Sequence, residues 1–217
     1  MKTLIFGDVH GNSIALKKLL SIEKDNVDAY ICHGDIVNYG PSSEECLDII
    51  LGLPNCRVLK GNHEQYYIDN LYPGKHPVAK AFFEFCYPRF NTSKINDLKS
   101  FKESTSLGIY KVKHTIDDEY IFLDTPLDHK TFNHSYIIGH SHQQYRRQIG
   151  DFELINTGSL GQNRSFINKS EYLIHDSDNH NIELKSFLFD FDALIKQMEN
   201  LNYPDICINY YKSKNVI

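Results

Sequence analysis

Residues 4–12, Leu-Ile-Phe-Gly-Asp-Val-His-Gly-Asn (LIFGDVHGN), run three apolar residues straight into a carboxylate and an imidazole two places apart, set between Gly7 and Gly11. The apolar run predicts a buried strand over Lys2–Phe6, and the glycines predict a tight turn at its tip. Asn12 is placed to cap a helix running to Ile22, with Leu16, Leu19 and Leu20 on one face. Ala29–Cys32 reads as a second strand and Arg57–Leu59 as a third. Between them Ser42-Ser43-Glu44-Glu45 carries an S-x-x-E capping box that opens a helix to Leu51. Strand–helix–strand–helix–strand implies a parallel α/β core.

Further along, Val78–Tyr87 and Thr92–Lys102 read as helices, the first aromatic-rich and ended by Pro88. Strands follow at Leu107–Lys113, Tyr120–Leu123, Tyr136–Ile138, Tyr145–Gln148, Glu153–Ile155, Tyr172–His175 and Ile182–Leu188. A closing amphipathic helix is expected over Asp190–Leu201. So many strands in series imply a second sheet packed on the first, with helices outside.

The chain has 217 residues, enough for one sizeable core in a single domain 1–217; a domain of this size buries roughly 70% of its unfolded surface. A net charge of −5 argues against nucleic-acid or anionic-membrane partners. The N-terminus is too interrupted for a signal peptide, and no apolar run approaches the roughly 18 residues of a membrane span. Five scattered cysteines without a C-x-x-C pair point to free thiols and a cytoplasmic setting.

The tip at Asp8 and His10 has counterparts. The second strand runs into HGDIVNYGP, with Asp35 after Gly34; the third runs into LKGNHE, with Asn62, His63 and Glu64 after Gly61. The strand at 107–113 ends in His114, and that at 136–138 runs through Gly139 to His140 and His142. The carboxyl ends of strands form the ligand crevice of open α/β sheets, so separate strands deliver Asp, His and Asn to one edge. In an extended segment i and i+2 point the same way, so each spaced pair is expected to converge. Seven candidate ligands (Asp8, His10, Asp35, Asn62, His114, His140, His142) exceed the needs of one metal. Two metals about 3.5–4 Å apart, joined by one carboxylate, would use them. Singly, each has an ordinary reading: Asp8 as a turn residue, His10 as a surface histidine, Asn62 as a helix cap. Jointly they require the same coincidence at five strand ends. His114 has no glycine before it, and His129 and His134 stand as substitutes in a loop.

GDVHGN, GDIVNYGP, GNHE and GHSH, in this order, resemble the motif blocks of the calcineurin-like metallophosphoesterases, and INTGSLGQNR at 155–164 resembles a further block of their small bacterial and archaeal members. The resemblance extends over nearly the whole chain. It implies a four-layer αββα sandwich of two mixed sheets, with the metal site at the strand ends. It also implies a phosphoester hydrolase, in which two metals activate a hydroxide toward a phosphodiester, nucleotide or dinucleoside polyphosphate. Carried over, Asp8, His10, Asp35 and His142 would hold one divalent ion, and Asp35, Asn62, His114 and His140 the other. Manganese is favoured, with iron, zinc, nickel or magnesium as alternatives. His63 would protonate the leaving oxygen or stabilise charge on it. Protein serine/threonine phosphatases of the superfamily carry Asp-Arg where this chain has Asn38-Tyr39, so Asn38 is left to accept a hydrogen bond from His63. Arg164 is the candidate phosphate contact, Arg146 and Arg147 read as surface charges, and Tyr39 is placed to stack on a base. Glu64, Tyr66 and Tyr67 are candidates to line the pocket. Residues 69–105 form a helical insert or lid, expected to shape the choice of a small phosphorylated substrate. A homo-oligomer is left open. The alternative readings are a protein phosphatase and a phosphoesterase-like scaffold without chemistry.

Overall fold

The computed structural model describes residues 1–217. Strand β1 (Lys2–Phe6) pairs in parallel with β2 (Ala29–Cys32), and β2 with β3 (Cys56–Val58). On its other side β1 pairs antiparallel with β9 (Lys169–Asp176), and β9 with β10 (Asn181–Leu188). The five strands run in the order β10-β9-β1-β2-β3. The second sheet has five strands in the order β4-β5-β6-β8-β7, formed by Ser104–Leu107, Tyr110–Lys113, Ser135–Ile138, Phe152–Thr157 and Gln144–Ile149. The expected sandwich of two mixed sheets is therefore present.

The two-residue period of a strand sorts the core. Leu4 and Phe6 of β1 face the helices, whereas Ile5 faces the other sheet. There Ile5, Ile31, Leu59 and Leu173 of the first sheet meet Val112, Ile137 and Ile155 of the second, all at 0% exposure. Each such side chain contributes roughly 1.5–3 kcal/mol by leaving water. The helices α1 (Ser13–Glu23), α2 (Ser43–Leu51), α3 (Asn62–Asp69), α4 (Pro77–Cys86), α5 (Ile95–Ser100), α6 (Phe191–Asn200) and α7 (Asp205–Lys212) bury Leu16, Leu47, Tyr67, Phe82, Leu98, Leu194 and Tyr211 in the cluster outside the first sheet. The aromatic run at 82–90 is core: Phe82, Phe83 and Phe85 are buried, and Phe85 packs 4.2 Å from Tyr203. No helix is long and apolar enough to cross a membrane.

Four local expectations change. Asn12 caps α1, accepting from the Ala15 N–H at 3.0 Å, but Ser42 makes no cap bond. Ser43 Oγ instead accepts from the Asn38 N–H at 3.0 Å, and Glu45 pairs with Lys17. The expected single strand Leu107–Lys113 is the second half of a hairpin. Gly108 turns it at φ +55°, and Ser104–Leu107 folds back on Tyr110–Lys113. Tyr120–Leu123 is not a strand. It belongs to the connection 115–134, which lays Ile121 and Leu127 over Ile138, Tyr145 and Leu154 on the outer face of the second sheet. The Tyr145 hydroxyl donates to the Ile121 carbonyl at 2.9 Å, so that backbone is satisfied without strand pairing. Finally, α3 and α7 were not anticipated. Both are only eight residues long and rich in tyrosine; α7 packs Cys207, Ile208, Tyr210 and Tyr211 against the core.

Candidate metal centre

The centre forms where the tips of β1, β2, β5 and β6 meet the start of α3. The β1 and β2 tips are laced by backbone bonds from Asp8 N–H to Gly34 C=O (2.9 Å), His10 N–H to Asp35 C=O (2.9 Å) and Gly11 N–H to Ile36 C=O (2.8 Å). The spaced pairs converge, but not through extended backbone. Asp8, His10, Asp35, Asn38, Tyr39, His140 and His142 all have φ between +47° and +73°, seven of the thirteen non-glycine residues with positive φ. Each such residue costs roughly 1–2 kcal/mol, so strain is concentrated at this site. Two glycines are required for another reason. A Cβ on Gly61 would lie 2.2 Å from Asp35 Oδ1, and one on Gly139 would lie 2.4 Å from Asp8 Oδ2.

Each aspartate is anchored by one oxygen and offers the other. Asp8 Oδ2 accepts from the His140 N–H at 2.9 Å, while its Oδ1 has no hydrogen-bond donor. Asp35 Oδ1 accepts from the His63 N–H at 2.8 Å, and its Oδ2 stands 3.2 Å from His114 Nε2, 3.9 Å from His10 Nε2 and 4.0 Å from His63 Nε2. On one side of Asp35, His10 Nε2 and His142 Nε2 are 3.1 Å apart, with Asp8 Oδ1 3.2 Å from His142 Nε2. On the other, His114 Nε2 lies 3.0 Å from Asn62 Oδ1 and 3.2 Å from His140 Nδ1.

The donor set fits divalent cations. His142 Nδ1 donates to the Gln162 carbonyl at 2.7 Å, so in the neutral ring Nε2 carries a lone pair. That lone pair meets the orphaned Asp8 Oδ1 and His10 Nε2. Acceptors turned on one another at this range repel unless a cation lies among them, and Asp oxygen with His nitrogen suits a transition metal. The neutral rings of His10 and His140 and the ionised Asp35 suit a cation, whereas His114 must shed a proton to join them as a ligand. Burial holds His10 well below the usual imidazole range and His140 at about 3. Burial opposes ionisation of Asp35, yet His114 and His63 hold its carboxyl well below the ordinary range. Burial also opposes a charge on His114, but Asp35 and Asp8 push it up to about 9.

His63 is buried and faces the cavity above the centre, and burial lowers its pKa against the pull of Asp35. The Asn38 side-chain amide donates to His63 Nδ1 at 3.0 Å, the reverse of the expected direction. The ring proton therefore sits on Nε2. Glu64 does not line the pocket. Its buried carboxylate accepts from the N–H groups of Asp35 (2.7 Å), Ile36 (2.7 Å), Val37 (3.2 Å) and Gly61 (2.8 Å), tying the β2 tip to α3. Burial, reinforced by Asp35, raises its pKa to about 7. Tyr67 is core, whereas Tyr66 lines the cavity.

His114 is brought into the cluster. His129 is exposed with its ring 3.9 Å from Glu119, and His134 is exposed at a distance. Arg164 lines the cavity, its Nε donating to the Ser141 carbonyl at 2.8 Å. Arg146 pairs with Glu153 at 2.7 Å, and Arg147 donates to the Leu123 and Thr125 carbonyls; neither lines the cavity. The Tyr39 ring packs against His10 (4.9 Å) and Phe82 (4.7 Å). His33 was overlooked. It is fully buried beneath Asp8 and His114, its Nε2 2.7 Å from Thr157 Oγ1, and burial lowers it to about 4. Its ring fills the room that Gly7 and Gly139 leave, a meeting that no local sequence signal discloses.

The family model for calcineurin-like phosphoesterases matches residues 1–208. The chain belongs to the calcineurin-like phosphoesterases. It is accordingly a metal-dependent phosphoric ester hydrolase, and the buried Asp/His cluster could hold a divalent metal ion. An uncharacterized protein of Methanocaldococcus jannaschii is 27% identical to this phosphoesterase over 227 residues, covering 93% of each chain. A metallophosphoesterase from Sphaerobacter thermophilus shares its fold with a TM-score of 0.79 at 22% identity, over 98% of each chain. A hypothetical protein from Pyrococcus horikoshii does so with a TM-score of 0.81 at 15% identity, over 97% of each.

Proposed function

We propose that this phosphoesterase hydrolyses a phosphodiester, nucleotide or dinucleoside polyphosphate at a two-metal centre that shares Asp35. The observation that carries this reading is the position of Asp35 Oδ2, close to His10 on one side and His114 on the other. Asp8, His10, Asp35 and His142 would hold one divalent ion, and Asp35, Asn62, His114 and His140 the second. Manganese, iron and zinc all suit mixed oxygen and nitrogen ligands, and manganese is favoured. When bound, such ions polarise phosphoryl oxygens and bring the pKa of a water toward neutrality.

The residues supply the rest. His63 presents Nε2–H to the departing oxygen and stabilises its negative charge. Full proton transfer requires the ring to be charged, with the Asn38 carbonyl turned toward Nδ1. Arg164 at the wall is available to a non-bridging phosphate oxygen. Tyr72, Val78 and Ala79 line the cavity, which supports a role for the 69–105 insert in substrate choice. All five cysteines are free thiols, in keeping with a cytoplasmic setting. Asn38-Tyr39 in place of Asp-Arg disfavours a protein phosphatase, and retention of every candidate ligand disfavours an inert scaffold.

The test is metal quantification together with turnover of bis(p-nitrophenyl) phosphate. Asp35→Asn should lose metal and activity together, whereas His63→Asn should keep metal and lose rate. A His63→Asn variant as fast as the parent on an unactivated ester would remove the role given to His63.

A further inference from the structure

The cavity above the centre is larger than a scissile phosphate needs. It holds about 530 Å³, within the range of sites that enclose whole cofactor-sized ligands. Its charges are unevenly placed. Asp35 on the floor is the sole carboxylate in the lining, while Lys75, Lys214 and Arg164 come from three separate chain segments. The protein as a whole has 28 acidic and 23 Lys and Arg residues, so this surplus of cations is local. Nearby lysines are neutralised: Lys212 pairs with Glu199 at 2.7 Å and Lys80 with Glu84 at 3.6 Å. Lys75 and Lys214 have no carboxylate partner, and Lys214 Nζ instead rests 4.4 Å over the Tyr210 ring. The segments bearing them are braced together, since Phe82 of α4 packs 5.9 Å from Tyr210 and 5.8 Å from Tyr211 of α7. An aromatic ring also stands at the rim, with the Arg164 guanidinium 5.8 Å over it. Tyr120 stacks on His140 at 4.0 Å and 24° while remaining 55% exposed.

We propose that Lys75 and Lys214 form a distal anion subsite for a polyphosphate chain extending from the metal centre, and that the natural occupant is a nucleoside polyphosphate whose base stacks on Tyr120. Two ammonium groups without carboxylate partners on one cavity raise the local concentration of polyanions there. A planar base matches an exposed tyrosine face, and such stacking tolerates any base. This inference rests on the hydrolase reading only for the identity of the group on the floor.

The test measures the affinity of the manganese-loaded protein for adenosine 5′-(β,γ-imido)triphosphate by calorimetry, and its inhibition of bis(p-nitrophenyl) phosphate turnover. The double variant Lys75→Ala/Lys214→Ala should bind the analogue at least tenfold more weakly, and Lys75→Arg/Lys214→Arg should recover most of the loss. Tyr120→Ala should weaken the analogue severalfold without changing the affinity for inorganic tripolyphosphate. A less than twofold change in the lysine double variant overturns the subsite. Tripolyphosphate bound as tightly as the analogue overturns the nucleoside as occupant. If the wild-type protein turns over no phosphodiester yet binds the analogue in a lysine-dependent way, the hydrolase reading fails and the subsite stands.

Discussion

On the floor of the cavity Asp35 is 1% exposed, bent to φ +53°, and fixed by bonds from the His63 N–H to its carboxylate and from its own N–H to Glu64. At the mouth Lys75 and Arg164 are exposed, and Lys75 has no ion-pair partner. The floor is placed by backbone: left-handed residues, glycines that admit no Cβ, and carboxylates held by N–H groups. The mouth is lined by long side chains on connecting and terminal segments. Chemistry that must hold ligands to a fraction of an ångström uses the first device. The second device tolerates exchange of side chains without disturbing the centre, as selection among substrates would require.

If that contrast is right, floor substitutions should be nearly all-or-none and mouth substitutions graded. The largest effect is expected from Asp35→Asn, with turnover down at least about 10³-fold and metal content reduced in the purified protein. His63→Asn should reduce turnover by about 10²–10⁴-fold with metal content intact. Gly61→Ala should follow at about 10²-fold, because a Cβ 2.2 Å from Asp35 Oδ1 must displace that carboxylate; metal affinity should fall with turnover. Wild-type metal affinity in Gly61→Ala would break the claim that backbone places the floor. Asn38→Asp adds a carboxylate acceptor at His63 Nδ1 and favours the charged ring. It should lower the dependence of rate on leaving-group pKa, measured over a series of aryl phosphodiesters. The smallest effect is expected at the mouth, where Arg164→Ala should raise KM about three- to tenfold and leave kcat within about twofold. A kcat loss matching that of His63→Asn would move Arg164 from mouth to floor.

Much of the floor was legible before any fold was known, since each ligand follows an apolar run, and in most cases a glycine. The i and i+2 ligands do not converge through an extended strand. Asp8 and His10 meet because both adopt left-handed backbone, a conformation that composition does not disclose. His33 was hidden because it is an ordinary strand-end residue until Gly7 and Gly139 are brought against it. The mouth was barely legible. Tyr120 lies in an apolar run that suggests a strand, and α7, which carries Tyr210, is only eight residues long.

The amino-acid sequence by itself determined the alternating strands and helices, the glycine-bordered tips, and the ligand chemistry, because periodicity and residue type are local properties. Only the tertiary structure decided that His114, and not His129 or His134, joins the centre. It also decided that His142 meets His10 across 132 residues of chain, and that Lys75 and Lys214 face the same cavity. Such meetings depend on sheet order and on which loops cross, and those are settled by burial of the whole chain rather than by any segment of it.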